Sequence, residues 1–149
     1  MASEVQVRIA TMLGLDVLAD SEGIAAARIM DEVAEAVGER GGRRLPTTKQ
    51  IAFAESLGLQ VAGDSFRVIS AKIDGELRRR NLLAIGRLGL KAGDRVLKRS
   101  VFELNGERHE DLREFTVSSI RPNTRVFFRG GNGQGAWPTQ LEKVDVDSK

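Results

Sequence analysis

The chain repeats itself with a period of 44 residues, and no other feature of the sequence constrains its fold as strongly. Residues 3–33 (SEVQVRIATMLGLDVLADSEGIAAARIMDEV) lie over residues 47–77 (TTKQIAFAESLGLQVAGDSFRVISAKIDGEL) without a gap. Eleven of these 31 positions are identical: Gln6/Gln50, Ala10/Ala54, Leu13/Leu57, Gly14/Gly58, Leu15/Leu59, Val17/Val61, Asp20/Asp64, Ser21/Ser65, Ala27/Ala71, Ile29/Ile73 and Glu32/Glu76. Unrelated segments of ordinary composition would share about two. A duplicated segment of this length is expected to form the same local unit twice.

The residues predict what that unit is. Ser3-x-x-Gln6 and Thr47-x-x-Gln50 are capping-box patterns, in which a hydroxyl accepts from an early helix N–H and a glutamine reaches back. Val5, Ile9, Met12 and Leu13 follow at helical spacing in the first copy, as do Ile51, Ala54 and Leu57 in the second. Gly14 and Gly58 are placed to stop those helices in the left-handed conformation. A short extended piece follows, and Asp20-Ser21 and Asp64-Ser65 cap a second helix. In the second copy that helix carries Phe66, Ile69, Ile73 and Leu77 on one face. Each unit is therefore helix, extended turn, helix. One such unit buries little apolar surface, so the copies are expected to support each other or a partner.

This pattern resembles the SAP-type helix–extended–helix module of DNA-binding proteins over residues 3–37 and 47–80. It is also similar to the short Thr-x-Lys-Gln … Leu-Gly … Ser … Ala-x-x-Ile helical hairpin of some recombination and repair proteins. The resemblance implies contact with the duplex backbone through basic residues near helix starts. Here those are Lys49 and Arg67, with Lys72 further along. The first copy has Val5, Gly23 and Arg28 at these positions, so the resemblance implies that only the second copy binds. The first is then a packing, dimerisation or protein-binding copy.

Charge patterning points the same way. The net charge of +2 conceals −6 over residues 1–39, +9 over residues 40–99 and −1 over residues 100–149. A block of +9 is an electrostatic footprint for a polyanion. The competing reading is a self-complementary dipole, in which the acidic third packs on the basic one. Arg40, Arg43 and Arg44 lie in a Gly/Arg linker, and Arg78, Arg79 and Arg80 end the last helix of the second copy. These residues are expected to contact phosphates without strong sequence preference, with Arg43 and Arg44 reaching a groove. Asn81 beside Arg78 is the one candidate for base readout on that helix.

From Leu90 the texture changes to short strands: Arg95–Lys98, Glu114–Ile120, Arg125–Arg129 and a segment from Trp137 to Val144, with a glycine-rich loop at residues 130–135. The order Gly-Asp-x-Val, long loop, strand, hairpin, strand and terminal Leu-x-x-Val resembles an SH3-like or KOW-like barrel over residues 90–146. In that resemblance Ser100–Arg113 is the long first loop, although Asn105-Gly106 within it is a hairpin signal. Arg125 and Arg129 fall on one strand face at spacing four and are further phosphate-contact candidates. Trp137 is expected at the core or the barrel edge. The glycine loop leads into a strand and lacks a following Gly-Lys-Ser/Thr, so it does not read as a phosphate cradle.

Several chemistries find no support in the residues. The chain has no cysteine, no tyrosine and one histidine. His109-Glu110-Asp111 are adjacent and do not converge on one ion, so neither a metal nor another cofactor is expected. No Ser–His–Asp arrangement is supported by a motif, and an enzyme is not expected. No run reaches the roughly 18 apolar residues of a membrane span, and the N-terminus does not read as a secretory signal. The expected architecture is α+β: an acidic helical repeat (1–39), a linker (40–46), a basic repeat (47–89), an SH3-like small β-barrel (90–146) and a tail (147–149). The expected function is a non-enzymatic, cytoplasmic DNA-binding accessory protein, nucleoid-associated in a bacterial cell, that prefers DNA over RNA. A homo-oligomer contact or a protein partner would use the acidic repeat. The alternatives are a protein–protein adaptor and an RNA-binding KOW-like factor.

Overall fold

A computed structural model describes residues 1–38 and 43–144. The chain is α+β. Four helices come first: α1 (Glu4–Met12), α2 (Glu22–Ala36), α3 (Thr48–Ser56) and α4 (Phe66–Leu88). Five strands follow: β1 (Arg95–Leu104), β2 (Glu107–Ile120), β3 (Val126–Phe128), β4 (Gly135–Ala136) and β5 (Leu141–Lys143), with one 3-10 turn (Pro138–Gln140) between the last two. Two compact units result, Met1–Leu77 and Arg78–Lys149, and their boundary falls inside α4.

In the first unit, α1/α2 and α3/α4 form two hairpins whose details correspond at positions 44 apart. Ser3 and Thr47 accept from the N–H groups of Gln6 and Gln50. Gly14 and Gly58 adopt φ of 75° and 81°. Beyond them the N–H groups of Leu15 and Leu59 return to the carbonyls of Ala10 and Ala54, closing both helices in the same six-to-one bond. The two cores also correspond: Ala10, Val17 and Ala25 in one, Ala54, Val61 and Ile69 in the other. The Gln6 amide donates to the carbonyl of Glu22 at 2.8 Å, and the Gln50 amide to that of Phe66 at 3.0 Å. Arg28 pairs with Asp20 at 3.3 Å, and Lys72 with Asp64 at 2.5 Å. Several identities between the segments thus have a physical reason in the hairpin itself.

The hairpins meet asymmetrically. Gly23 of α2 lies against α4, where a Cβ on it would sit 4.0 Å from the Ala71 Cβ. Asp31 of α2 is 2% exposed and accepts from the Ser65 hydroxyl and, at 3.1 Å, from the Arg67 guanidinium. Ser65 in turn accepts from the N–H of Val68 in the first turn of α4. A carboxylate from the first hairpin therefore sits at the N-terminus of the second hairpin's long helix, where the helix dipole favours negative charge.

In the second unit the sheet order is β4-β3-β2-β1-β5, and every neighbouring pair is antiparallel. The sheet is open, with β4 and β5 as its edges. Its core is Val96, Val117, Val126, Phe128, Ala136 and Leu141, joined by Leu90. Ile85 and Leu88, from the last turns of α4, pack against that core. Gly135 is needed for β4 to approach β3, because a Cβ there would lie 2.4 Å from the Val126 carbonyl oxygen.

The expected long loop over Ser100–Arg113 is not a loop. Residues 95–104 and 107–116 pair without interruption around Asn105-Gly106, whose φ values of 54° and 79° make the tight turn of a two-residue hairpin. Because β5 pairs only with Val96–Lys98 and β3 only with Val117–Ile120, the outer part of this hairpin is a two-stranded ribbon.

Candidate nucleic-acid interface

The basic residues expected to bind phosphate are largely engaged within the chain. Arg43 pairs with Glu32 at 3.2 Å and with Glu35 at 3.8 Å. Arg67 pairs with the buried Asp31. Lys72 pairs with Asp64 and also donates to the Gln60 carbonyl at 2.9 Å. Arg44 stacks its guanidinium 4.3 Å above the Phe66 ring, and its carbonyl accepts from the Phe66 N–H. Arg78 donates to the carbonyl of Pro122 at 2.9 Å, and neither Arg79 nor Arg80 is free of partners. Lys49 is exposed in the first turn of α3, whereas Asn81 is buried and cannot read a base. Arg40 lies outside the described residues. Within the first unit, acidic and basic segments therefore neutralise one another locally.

A cavity of about 240 Å³ between the hairpins shows the same balance. Arg28 and Arg43 line it together with Asp31 and Asp64, so its charges are mutually compensated.

The second unit is different. Residues 78–149 hold fifteen Lys and Arg against nine Asp and Glu, a net +6, while residues 1–77 hold eight against twelve, a net −4. A groove of about 490 Å³ opens on one face of its sheet. Strand alternation builds it: β1 contributes Lys98, Ser100 and Phe102, and β2 contributes Phe115, Arg113 and Asp111. The register sets Lys98 opposite Arg113, Ser100 opposite Asp111 and Phe102 opposite His109. Arg125, Gln134 and Gly135 close the far wall.

The two faces of the ribbon carry their charges differently. On the face away from the groove, Arg95 pairs with Glu114 and Arg99 with Glu142. In the groove only Arg113 has a carboxylate partner, Asp111 at 2.8 Å. Among the described residues Lys98 has no ion pair. Arg125 rests 5.1 Å above the Trp137 ring and donates to the Gly135 carbonyl at 3.4 Å, and among the described residues it has no ion pair. Aromatic surface is interleaved with these cations. Phe115 stacks on Phe128 at 4.3 Å, and Phe102 stacks on His109 at 5.5 Å near the ribbon tip.

Arg125 and Arg129 do not share this site. Arg125 faces the groove, while the Arg129 guanidinium lies near the Lys91–Asp94 turn, 3.9 Å from where a Cβ of Gly93 would be. Trp137, expected at the core or the edge, is partly exposed beneath Arg125. Sequence reasoning missed Lys98, Phe102, Arg113 and Phe115 as a group. Their signal was the period-two spacing Lys98-x-Ser100-x-Phe102 and Asp111-x-Arg113-x-Phe115 around Asn105-Gly106.

Among the described residues no cluster of His, Asp or Glu could hold a metal ion, and no helix is long and apolar enough to cross a membrane. Compared with family models, curated proteins and solved structures, the chain matches none.

Proposed function

We propose that the chain is a non-enzymatic DNA-binding accessory protein that holds the phosphate chain in the groove of its second unit. One observation carries this reading: Lys98 and Arg125 line an aromatic-walled groove with no carboxylate partner among the described residues, in the unit that holds the net +6. Cations over a sheet face bind phosphate largely irrespective of sequence, and the Phe102 and Phe115 rings offer surface to sugars and bases. The hairpins serve as a scaffold in this reading. Their matching caps, cores and ion pairs support descent from one duplicated SAP-type unit. The strand order and the 3-10 turn before β5 support an SH3-like reading of the sheet. Duplex DNA is named as the ligand because the helix–extended–helix hairpins resemble those of DNA-binding proteins, although in this reading the hairpins themselves do not contact it.

Fluorescence anisotropy with duplex DNA across a salt series tests the proposal. Neutralising two phosphates, one each at Lys98 and Arg125, predicts a log–log salt slope of about −1.8 from the groove, at ~0.9 per contact. The triple variant K98E/R113E/R125E is expected to lose most of that slope and at least about tenfold in affinity. Binding of the variant equal to the wild type would place the contact elsewhere. Tighter binding of structured RNA than of duplex DNA would replace DNA with RNA as the ligand.

A further inference from the structure

The first hairpin keeps apolar side chains that are exposed among the described residues. Val5, Ile9 and Met12 follow one another at spacings of four and three along α1, and all are exposed. Met30 and Val33 on α2, with Val37 just after it, form a second exposed stripe at spacings of three and four. The hairpin's own core uses other positions, namely Ala10, Val17 and Ala25.

The 44-residue correspondence supplies an internal control. In the second hairpin the positions of Val5, Met12 and Met30 are held by Lys49, Ser56 and Asp74, which are exposed there. The same helix–turn–helix thus forms with polar residues at these three places, whereas Phe53 and Leu77 hold the positions of Ile9 and Val33 and are exposed apolar residues as well, so the control bears on Val5, Met12 and Met30 alone. All three methionines of the chain also lie in this hairpin: Met1, Met12 and Met30 are 94%, 86% and 54% exposed. Methionine is flexible and polarizable, which suits a surface that adapts to a docked helix. The surrounding charge is negative. Among the described residues Glu4, Asp16 and Glu22 have no ion pair, against Arg8 as the one arginine of this hairpin without one.

We infer that the first hairpin is a docking surface for a basic amphipathic helix of another protein. Its apolar side would lie on one of the two stripes, and its lysines or arginines would be drawn by the unpaired charge of Glu4, Asp16 and Glu22. This is helix recognition through anchors at helical spacing. The negative charge disfavours a second copy of the same face, which would bring like charges together, and disfavours nucleic acid for the same reason. The surface is independent of the groove in the second unit.

The test uses the full chain and two synthetic helix-forming peptides with identical leucine stripes, one flanked by lysines and one by glutamates. Calorimetry is expected to show the lysine peptide binding at least about tenfold more tightly than the glutamate peptide. The methyl signal of Met12 or of Met30, one on each stripe, is expected to shift on titration with the lysine peptide. The variant V5K/M12S/M30D transplants the second hairpin's residues into the first. It is expected to retain the helical spectrum and DNA binding while losing at least about tenfold in peptide affinity. The methyl shifts on the wild-type chain give a readout that does not depend on that variant folding. Equal binding of both peptides, binding of neither, or unmoved methionine signals would overturn the inference. So would a wild-type dimer that the triple variant converts to a monomer, because the face would then be covered by a second copy.

Discussion

Asp31 is where the acidic first hairpin grips the second. Its carboxylate is buried, and its partners are the Ser65 hydroxyl and the Arg67 guanidinium. Removing one member of a buried ion pair costs about 3–5 kcal/mol when both charges are enclosed. The Arg67 side chain keeps about a third of its exposure, so solvent screens part of the loss. Asp31→Ala is therefore expected to destabilise the first unit by about 2–3 kcal/mol, read from urea unfolding followed by helical circular dichroism. A loss below about 0.5 kcal/mol would mean that the pairing contributes little. A second residue-level expectation concerns Gly135. Alanine there would place its Cβ against the Val126 carbonyl oxygen, and backbone cannot swing away as a side chain can. Gly135→Ala is expected to cost about 1–3 kcal/mol by overpacking, visible in unfolding followed by Trp137 fluorescence. The sequence made the charges of Arg43, Arg67 and Lys72 plain but not their partners. Glu32 lies 11 residues from Arg43, and Asp31 lies 36 residues from Arg67. Pairing at such separations depends on how the hairpins pack, which composition and local spacing do not carry.

At the level of elements, the helices were legible because their signals are local. A hydroxyl followed three residues later by glutamine, and a glycine after the last apolar residue, mark where α1 and α3 begin and end. The length of α4 was harder to read. Gly75 and Gly86 interrupt its pattern, yet both sit in the helix with open space where a Cβ would be. Alanine at either position is expected to raise stability by about 0.4–1 kcal/mol, since it restricts the unfolded chain and meets no clash. A fall in melting temperature for both variants would show that the helix needs those glycines. The ribbon was legible only at its turn. Beyond Lys98 both faces of β1 and β2 are mostly solvent-exposed, so charged residues such as Glu103, Arg108 and Glu110 break the apolar alternation by which a half-buried strand is recognised. The groove was missed with it, because its cations become neighbours only once Lys98 is set opposite Arg113.

For the whole molecule, where the chain divides into units matters more than where charge clusters along it. The block of +9 over residues 40–99 crosses the boundary between the two units, and its first part is bound up with the acids of the first hairpin. Redrawn by unit, the charge is −4 and +6. In the proposed function the phosphate-binding capacity therefore belongs to the sheet-containing unit, with the helical unit as scaffold and partner surface. Two charge-reversal variants, K98E/R113E/R125E in the groove and R8E/R44E/K49E in the helical unit, compared for duplex DNA binding at ~50 mM salt where electrostatic contacts are near their strongest, put this most directly to the test. The groove variant is expected to lose at least about tenfold in affinity and the helical variant clearly less; a larger loss from the helical variant, with both proteins folded, would contradict phosphate binding by the groove.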